Sequence, residues 1–423
     1  MKHRKGEKMA QTMLIADDLT GALDAGVCFV PQGAKVLVDA SAVDGGAFVR
    51  CEGALCVNAA TRHMAAPEAA ELVAGLVDAA RSAGVRRIVK KTDSALRGNV
   101  GAELAAAWKA SGAARLHFLP ALPAMNRVTR GGVHYIDGVP VSESVFGRDP
   151  FEPVAESDVR AIIAAQTDAP VAVVAEGESV PADFAGIVVY DASSEASMES
   201  RVRELLAEDG DAVLAGCAGL ASALARIAGP APRSDDPLSF DGNLLVVCGS
   251  VNGVSRGQCA AAARAGAAAY PIAETEKCDD SWLASEAGRA FVDAVNGDWA
   301  ARPLTVVDGS GLEDLSALVP AGLDVRQVVS DHIGALLAAV CAAGVRGRAL
   351  VTGGDVLTSF LTQAKVAEVT PLGQVSAGVV AFEVPLPAGK LTIASKSGGF
   401  GDESLLVDMA QPNTMEKECC AHA

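Results

Sequence analysis

Leu14-Ile15-Ala16-Asp17-Asp18-Leu19-Thr20-Gly21-Ala22-Leu23-Asp24-Ala25-Gly26 decides how the first half of the chain is read. An apolar run reaches Ala16, two adjacent carboxylates follow, and apolar positions then recur at helical spacing through Leu23 and Val27. The stretch reads as the end of a buried strand, a tight acidic turn and the first turns of a helix, with Thr20 available as the cap. In open α/β sheets, sites form where strands end at their carboxyl edge. Two carboxylates there can take a proton, orient a hydroxyl or hold a metal through water. The plainer reading is a capped helix start with solvated acids.

The same rhythm continues. Strand-like runs at Ala34–Asp39, Ala54–Val57, Arg87–Lys90, Leu116–Leu119, Val171–Val174, Ile187–Tyr190 and Ala212–Ala215 alternate with helical patterns at Pro67–Ser82, Val100–Ala110, Ser157–Ala165 and Glu195–Glu208. Strand-then-helix repetition predicts a mostly parallel sheet covered on both faces. One interruption is His134–Val141, a hairpin signal turning at Asp137-Gly138. Residues 229–237, rich in Pro, Ser and charge, mark the domain boundary. The pattern then restarts with Leu244–Cys248, Ser255–Ala265, Ala269–Ile272, Leu304–Val307, Ala349–Thr352, Leu357–Ala364 and Leu391–Ala394. The expectation is an α/β protein of two α/β domains with mostly parallel sheets, at 13–228 and 242–410, followed by a disordered tail.

Composition narrows the function. The chain has 423 residues, half of them apolar, and a formal net charge of −17. That charge argues against general nucleic-acid binding and against an anionic membrane surface. An anionic substrate would need local basic residues. The cysteines lack paired C-x-x-C spacing and His is sparse, so no zinc site is expected. The basic run Met1–Lys5 has no apolar signal core behind it, and neither a secretory signal nor a membrane span is expected. These readings give a reduced, cytoplasmic protein with small-molecule partners.

Three groups of residues can carry chemistry. Lys90–Asn99 follows an apolar strand and gathers Lys91, Asp93, Ser94 and Arg97 at one strand end. Arg forks onto carboxylates, Lys acts as a point charge, and Ser and Asp read hydroxyls. Pro120–Arg127 and Arg130–Tyr135 add Asn126, Arg127 and His134 as candidates for an anion or polyol pocket; a lone His in a hairpin is more often structural. In the second half, Gly-rich turns follow strands at Gly353-Gly354-Asp355 and Lys396-Ser397-Gly398-Gly399-Phe400-Gly401, and Cys248-Gly249-Ser250 is placed alike. Backbone N–H groups at such turns can cradle phosphates. No Walker sequence is present, and each turn taken alone can serve only helix–strand packing.

Together, Asp17-Asp18-Leu19-Thr20-Gly21, Lys91-Thr92-Asp93-Ser94-Ala95-Leu96-Arg97-Gly98-Asn99, Gly132–Tyr135 through Asp149-Pro150, Gly216–Ala221, Gly353-Gly354-Asp355 and Lys396–Gly401 resemble, in order, the four-carbon acid sugar kinases, from about Met13 to Met409. The resemblance implies an N-terminal domain binding the sugar acid, a C-terminal domain binding ATP, and transfer across the cleft. It implies phosphorylation of threonate, erythronate or 3-oxo-tetronate, usually at the terminal hydroxyl. Many relatives carry Glu-Thr where this chain has Asp355-Val356, and Asn where it has Gly399.

On that resemblance, Asp17 or Asp18 handles the proton of the attacking hydroxyl. Asp93 and Ser94 hold substrate hydroxyls, and Arg97 with Lys91 or Arg127 holds the carboxylate. Ser250, Gly353, Gly354, Asp355, Lys396, Gly398, Gly399 and Gly401 surround the nucleotide. Mg²⁺ bridges phosphate oxygens largely through water, with no dedicated protein ligands. A homodimer is allowed. The alternatives are an aspartate-dependent phosphohydrolase, which usually wants Asp-x-Asp, and a non-catalytic nucleotide or metabolite sensor.

Overall fold

The computed structural model describes residues 10–411 apart from 52, 150, 151, 230–237, 239, 312–314 and 377. The Pro-rich boundary segment 230–237, the run Met1–Lys5, Pro150, and the tail with Cys419 and Cys420 lie outside the described residues. The chain divides into two compact units at residue 233.

The first unit contains β1 (Thr12–Ala16), α1 (Leu19–Cys28), β2 (Lys35–Leu37), α2 (Gly45–Arg50), β3 (Ala54–Asn58), α3 (Ala66–Ala83), β4 (Arg87–Lys91), α4 (Val100–Ser111) and β5 (Arg115–Leu119). A hairpin layer follows, β6 (Arg127–Arg130), β7 (Val133–Ile136) and β8 (Val139–Pro140). Then come α5 (Val159–Ala164), β9 (Val171–Val174), β10 (Gly186–Tyr190), α6 (Glu195–Glu208), β11 (Val213–Gly216) and α7 (Ala218–Ala228). Within this unit the main sheet runs β2-β3-β1-β4-β11-β5-β10-β9, with every pair parallel.

All five residues of β1 are buried. This is the unbroken apolar run of a strand covered on both faces rather than the alternation of a half-exposed one. Met13 and Ile15 pack with Leu55, Val57, Leu104 and Phe118 in the unit's core. The chain leaves β1 toward β2 and β3 on one side and then crosses to β4 on the other. The carboxyl ends of β1 and β4 therefore form a topological switch point, where open α/β sheets leave a crevice. At the hairpin, Asp137 and Gly138 have φ of 51° and 82°, the left-handed pair that a tight type I′ turn requires.

The second unit contains β12 (Leu244–Cys248), α8 (Gly253–Arg264), β13 (Ala268–Pro271), α9 (Glu286–Ala301), β14 (Leu304–Asp308), α10 (Val325–Ala343), β15 (Arg348–Thr352) and α11 (Gly354–Gln363). It ends with β16 (Glu368–Ser376), β17 (Val379–Leu386), β18 (Gly389–Lys396) and α12 (Leu405–Ala410). Its strand order is β13-β14-β12-β15-β18-β17-β16, parallel as far as β18 and antiparallel beyond. By length and composition α10 could cross a membrane. Here it packs against α9 and α11 and buries Ile333, Leu336, Leu337 and Val340.

Candidate functional site

The acidic turn keeps the shape read from sequence but not its cap. The helix starts at Leu19, so the capping position falls on Asp18, whose Oδ1 accepts from the Gly21 N–H at 2.7 Å. Thr20 lies inside the helix and cannot do that work. An N-cap carboxylate of this kind is worth about 1 kcal/mol. Asp17 is not a solvated acid, being only 2% exposed.

What holds Asp17 is Arg62, from the turn after β3. Its Nε and Nη2 reach Asp17 Oδ2 at 2.8 and 2.7 Å, and its Nη1 reaches Asp18 Oδ2 at 2.7 Å. Nη2 also lies 3.6 Å from Asp93 Oδ1. One guanidinium thus gathers carboxylates from the turns after β1 and β4. Burial opposes charge on Asp17, yet Arg62, Lys90 and Lys91 outweigh it and hold the carboxyl below its ordinary range. Asp17 Oδ1 is buried without a hydrogen-bond partner. An unclaimed acceptor of this kind is costly unless something else donates to it.

Lys91 ends β4, and its Nζ donates to Thr92 O at 2.9 Å. Burial works against its charge, but Asp17 and Asp18 raise its pKa above the ordinary lysine value. It lies against α1 where Gly21 offers no side chain, since a Cβ there would stand 2.8 Å from Nζ. One turn on, half-buried Asp24 is pushed up to about 6 by burial, with Lys91 pulling the other way.

Asp93 is saturated by its own loop. Arg97 forks onto it with Nε–Oδ2 at 2.9 Å and Nη2–Oδ1 at 3.0 Å, and the backbone N–H groups of Ala95 and Arg97 also donate to Oδ2. Burial is outweighed by Arg97 and Arg62, and the carboxyl stays well below its usual range. Expected to hold substrate hydroxyls, Asp93 instead spends its oxygens ordering residues 93–97. The Arg97 fork, expected on a substrate carboxylate, is likewise spent on Asp93. Arg127 differs: its Nη1 donates to Ser94 Oγ, its guanidinium lies 5.1 Å from the Phe146 ring centroid, and no carboxylate pairs with it among the described residues.

Two residues expected in this pocket sit elsewhere. His134 is fully buried, with Nδ1 3.1 Å from Thr129 Oγ1 and Nε2 3.0 Å from Ser94 O. Burial pushes it down to about 4, so a neutral imidazole braces the Ser94 loop from behind. Asn126 lies just before β6 in a left-handed conformation, with φ of 52°, and is exposed rather than turned inward. Arg127 and Thr129 point inward, whereas exposed Asn126 lines a groove with Val128 and Arg130.

His134 makes stability depend on pH. An unfolded histidine titrates near 6.5, so between about 6.5 and 4 only the unfolded chain binds this proton. The contribution is complete above about pH 6.5 and is lost as pH falls toward 4, to an extent of about 3 kcal/mol. Urea unfolding at a series of pH values should give a flatter dependence for His134→Gln than for the unsubstituted chain. Equal slopes would remove the histidine from this role.

In the second unit the Gly-rich turns follow β12, β15 and β18, which are neighbours. The turns touch: a Cβ on Gly398 would come 2.2 Å from Ser250 Oγ, and one on Gly353 3.7 Å from the Gly249 carbonyl carbon. Gly353 has φ of 105°, a conformation that favours glycine. It precedes α11, whose first turn has no side-chain cap. Free backbone N–H groups at a helix start, lined by glycines, fit phosphate oxygens. Exposed Asp355 follows in that first turn, and Gly399 and Gly401 are exposed.

Lys396, expected at the nucleotide, turns inward. It is 1% exposed, and its Nζ donates to Ser397 O, Gly398 O, Phe400 O and Ser255 Oγ at 3.0–3.2 Å. Burial pushes its pKa down to about 8. Gln258 Nε2 fastens the same loop through the carbonyls of Phe400, Gly401 and Asp402. Lys396 and Gln258 shape the loop from beneath.

Sequence reasoning did not single out Arg62, Asp24, Phe146 or Gln258. Arg62 had a usable signal, because Thr61-Arg62 follows an apolar strand just as Asp17-Asp18 does.

Comparison with known proteins agrees with this division. A sugar-binding N-terminal domain family matches residues 12–224, and a nucleotide-binding C-terminal domain family matches residues 245–406. A Bordetella bronchiseptica D-threonate kinase is 31% identical over 94% of this chain and 96% of its own length. A Heliobacterium modesticaldum D-erythronate kinase is 26% identical over 86% of this chain and 89% of its own. A solved Salmonella typhimurium structure shares the fold with a TM-score of 0.74 at 22% identity, covering 95% of this chain and 98% of that one. With both domains matched in order and relatives aligned along most of its length, the chain belongs to the four-carbon acid sugar kinase family.

Proposed function

We propose that this protein is an ATP-dependent kinase that phosphorylates threonate, erythronate or 3-oxo-tetronate at the terminal 4-hydroxyl. Residues 13–228 hold the acid and residues 242–410 the nucleotide. The observation that carries the reading is the gathering, at the β1/β4 switch point, of an acid pair with one unclaimed oxygen and of Arg127, a cation that no carboxylate pairs with among the described residues. A polyol acid brings the matching groups, a hydroxyl to donate and a carboxylate to accept.

ATP, when bound, would supply the γ-phosphoryl group, and Mg²⁺ would supply charge neutralisation at its phosphates. Asp17 Oδ1 orients the attacking hydroxyl and receives its proton, while Arg62 fixes the carboxylate through its other oxygen. Arg127, helped by Lys91, holds the substrate carboxylate, and Ser94 Oγ reads a hydroxyl. Asp93 and Arg97 keep the Ser94 loop in place. The N–H groups of Gly353 and Gly354 and the Ser250–Gly398 turn receive the phosphates, with Asp355 beside them. The chain works in the cytoplasm on small molecules.

Coupled measurement of ADP release against the three acids tests this reading. Turnover with at least one, and none without acid, is expected; ADP release that ignores the acid would overturn it. Arg127→Met should raise KM for the acid at least about 10-fold, the loss of a charge-assisted hydrogen bond, and leave KM for ATP unchanged. An unchanged acid KM would take Arg127 out of carboxylate binding.

A further inference from the structure

The carboxyl ends of β12 and β14 carry a second constellation, which the kinase reading does not use. Cys248 and Asp308 are direct partners in the parallel register of these strands, so their side chains leave the sheet side by side. Cys259 comes down onto them from α8. Both cysteines are free of disulfides and buried, and Cys248 Sγ donates to Ser250 O at 3.8 Å. Cys248 Sγ, Cys259 Sγ and a carboxylate oxygen of Asp308 all lie within 4.8 Å of one another. We propose that Cys248, Cys259 and Asp308 form a zinc site with an open fourth position.

The chemistry fits the donor set. Two thiolates and a carboxylate suit a borderline-soft divalent ion better than Mg²⁺ or Ca²⁺, which take oxygen ligands. Zn–S bonds of about 2.3 Å and a Zn–O bond of about 2.1 Å at tetrahedral angles put the ligand atoms about 3.5–3.8 Å apart, inside the observed bound. The carboxylate is already aimed, because Ser310 donates to Asp308 Oδ1 from its N–H at 2.9 Å and from its hydroxyl at 2.6 Å. Partners of this kind orient metal ligands. A cavity of about 410 Å³, lined by Cys259, Asp308, Ser310, Arg256 and Lys277, reaches the group from solvent. It gives the ion a way in and leaves room for a water at the fourth position. Three anionic ligands on Zn²⁺ leave one negative charge, and the two cysteines favour the charged form of the buried Lys396, against the burial that disfavours it. Because Gly249 follows Cys248 directly, the ion would pin the Gly249–Ser250 turn.

The test uses the full chain, reduced and stripped with a chelator. Zn²⁺ is titrated against a chromophoric chelator, and Co²⁺ substitution is followed for thiolate-to-metal charge transfer. One equivalent should bind, with thiolate bands, and Zn²⁺ should protect two thiols from alkylation. C248S and C259S should each weaken binding at least about 100-fold, beyond the 10–100-fold typical of losing an outer partner. C341S, at a buried cysteine on α10, should change nothing. If either serine variant misfolds, the thiol-protection count in the unsubstituted chain decides. No stoichiometric uptake, uptake unchanged in both serine variants, or a Cys248–Cys259 disulfide forming in place of uptake would overturn the proposal.

Discussion

Arg62→Met should be less stable than the unsubstituted chain by about 3–5 kcal/mol, the range seen when one partner of a buried ion pair is removed. Arg62 is 10% exposed, and the carboxylates it serves, Asp17 and Asp93, are 3% and 9% exposed at their side chains. Without the guanidinium, Asp17 keeps only the more diffuse fields of Lys90 and Lys91. Asp93 keeps Arg97, which places the expected loss toward the lower end. Urea unfolding at neutral pH measures it. The double variant Arg62→Met with Asp17→Asn should recover part of the loss, because the stranded charge is then gone. A single variant within about 0.5 kcal/mol of the unsubstituted chain, as for a surface change, would mean that Arg62 does not organise the site.

Asp17→Asn should lower kcat by about 10²–10⁴-fold, the usual contribution of a positioned proton acceptor. Nucleotide binding, carried by the other unit, should be unchanged by calorimetry. Asparagine keeps the shape and a carbonyl acceptor, so a loss of turnover reports on charge and basicity. Asp24→Asn is the informative companion. Asp24 is the more basic carboxyl, held at about 6, while Asp17 is held below its ordinary value. A large loss at Asp17 with a small one at Asp24 supports proton acceptance at the pair. The reverse would move that role one turn along α1, and full activity in both would remove the acids from the chemistry.

Much of this was legible because parallel sheets advertise themselves. Continuous apolar runs such as Leu244–Cys248, alternating with helical stretches, give strand existence and class without any tertiary information. Strands β16 and β17 were not foreseen. Pro371, Gly373 and two register shifts break the alternation that would mark an antiparallel edge. The site shows the same boundary between local and non-local information. Sequence places Asp17, Lys91 and Asp93 at strand ends. Which of them saturate one another depends on strand order, and the β3–β1–β4 adjacency brings Arg62 between the acids. His134 and Lys396 were identified as polar groups near a site, yet each is turned inward to hold a loop. Nothing in the residue type distinguishes a buried brace from a ligand contact. The expectation of no zinc site rested on spacing along the chain, whereas the proposed site rests on register between β12 and β14, which pairs residues that spacing cannot relate.

Transfer of labelled phosphate is the most direct measurement of the central claim. The chain is incubated with Mg²⁺, γ-labelled ATP and D-threonate, D-erythronate or 3-oxo-tetronate, and the label is followed by chromatography in a single turnover. The account predicts that label leaves ATP only when a four-carbon acid is present and appears as a phosphate ester on that acid's terminal oxygen, and that Asp17→Asn slows the transfer by about 10²–10⁴-fold. Label appearing as inorganic phosphate without acid, or remaining on ATP with all three acids, would contradict it.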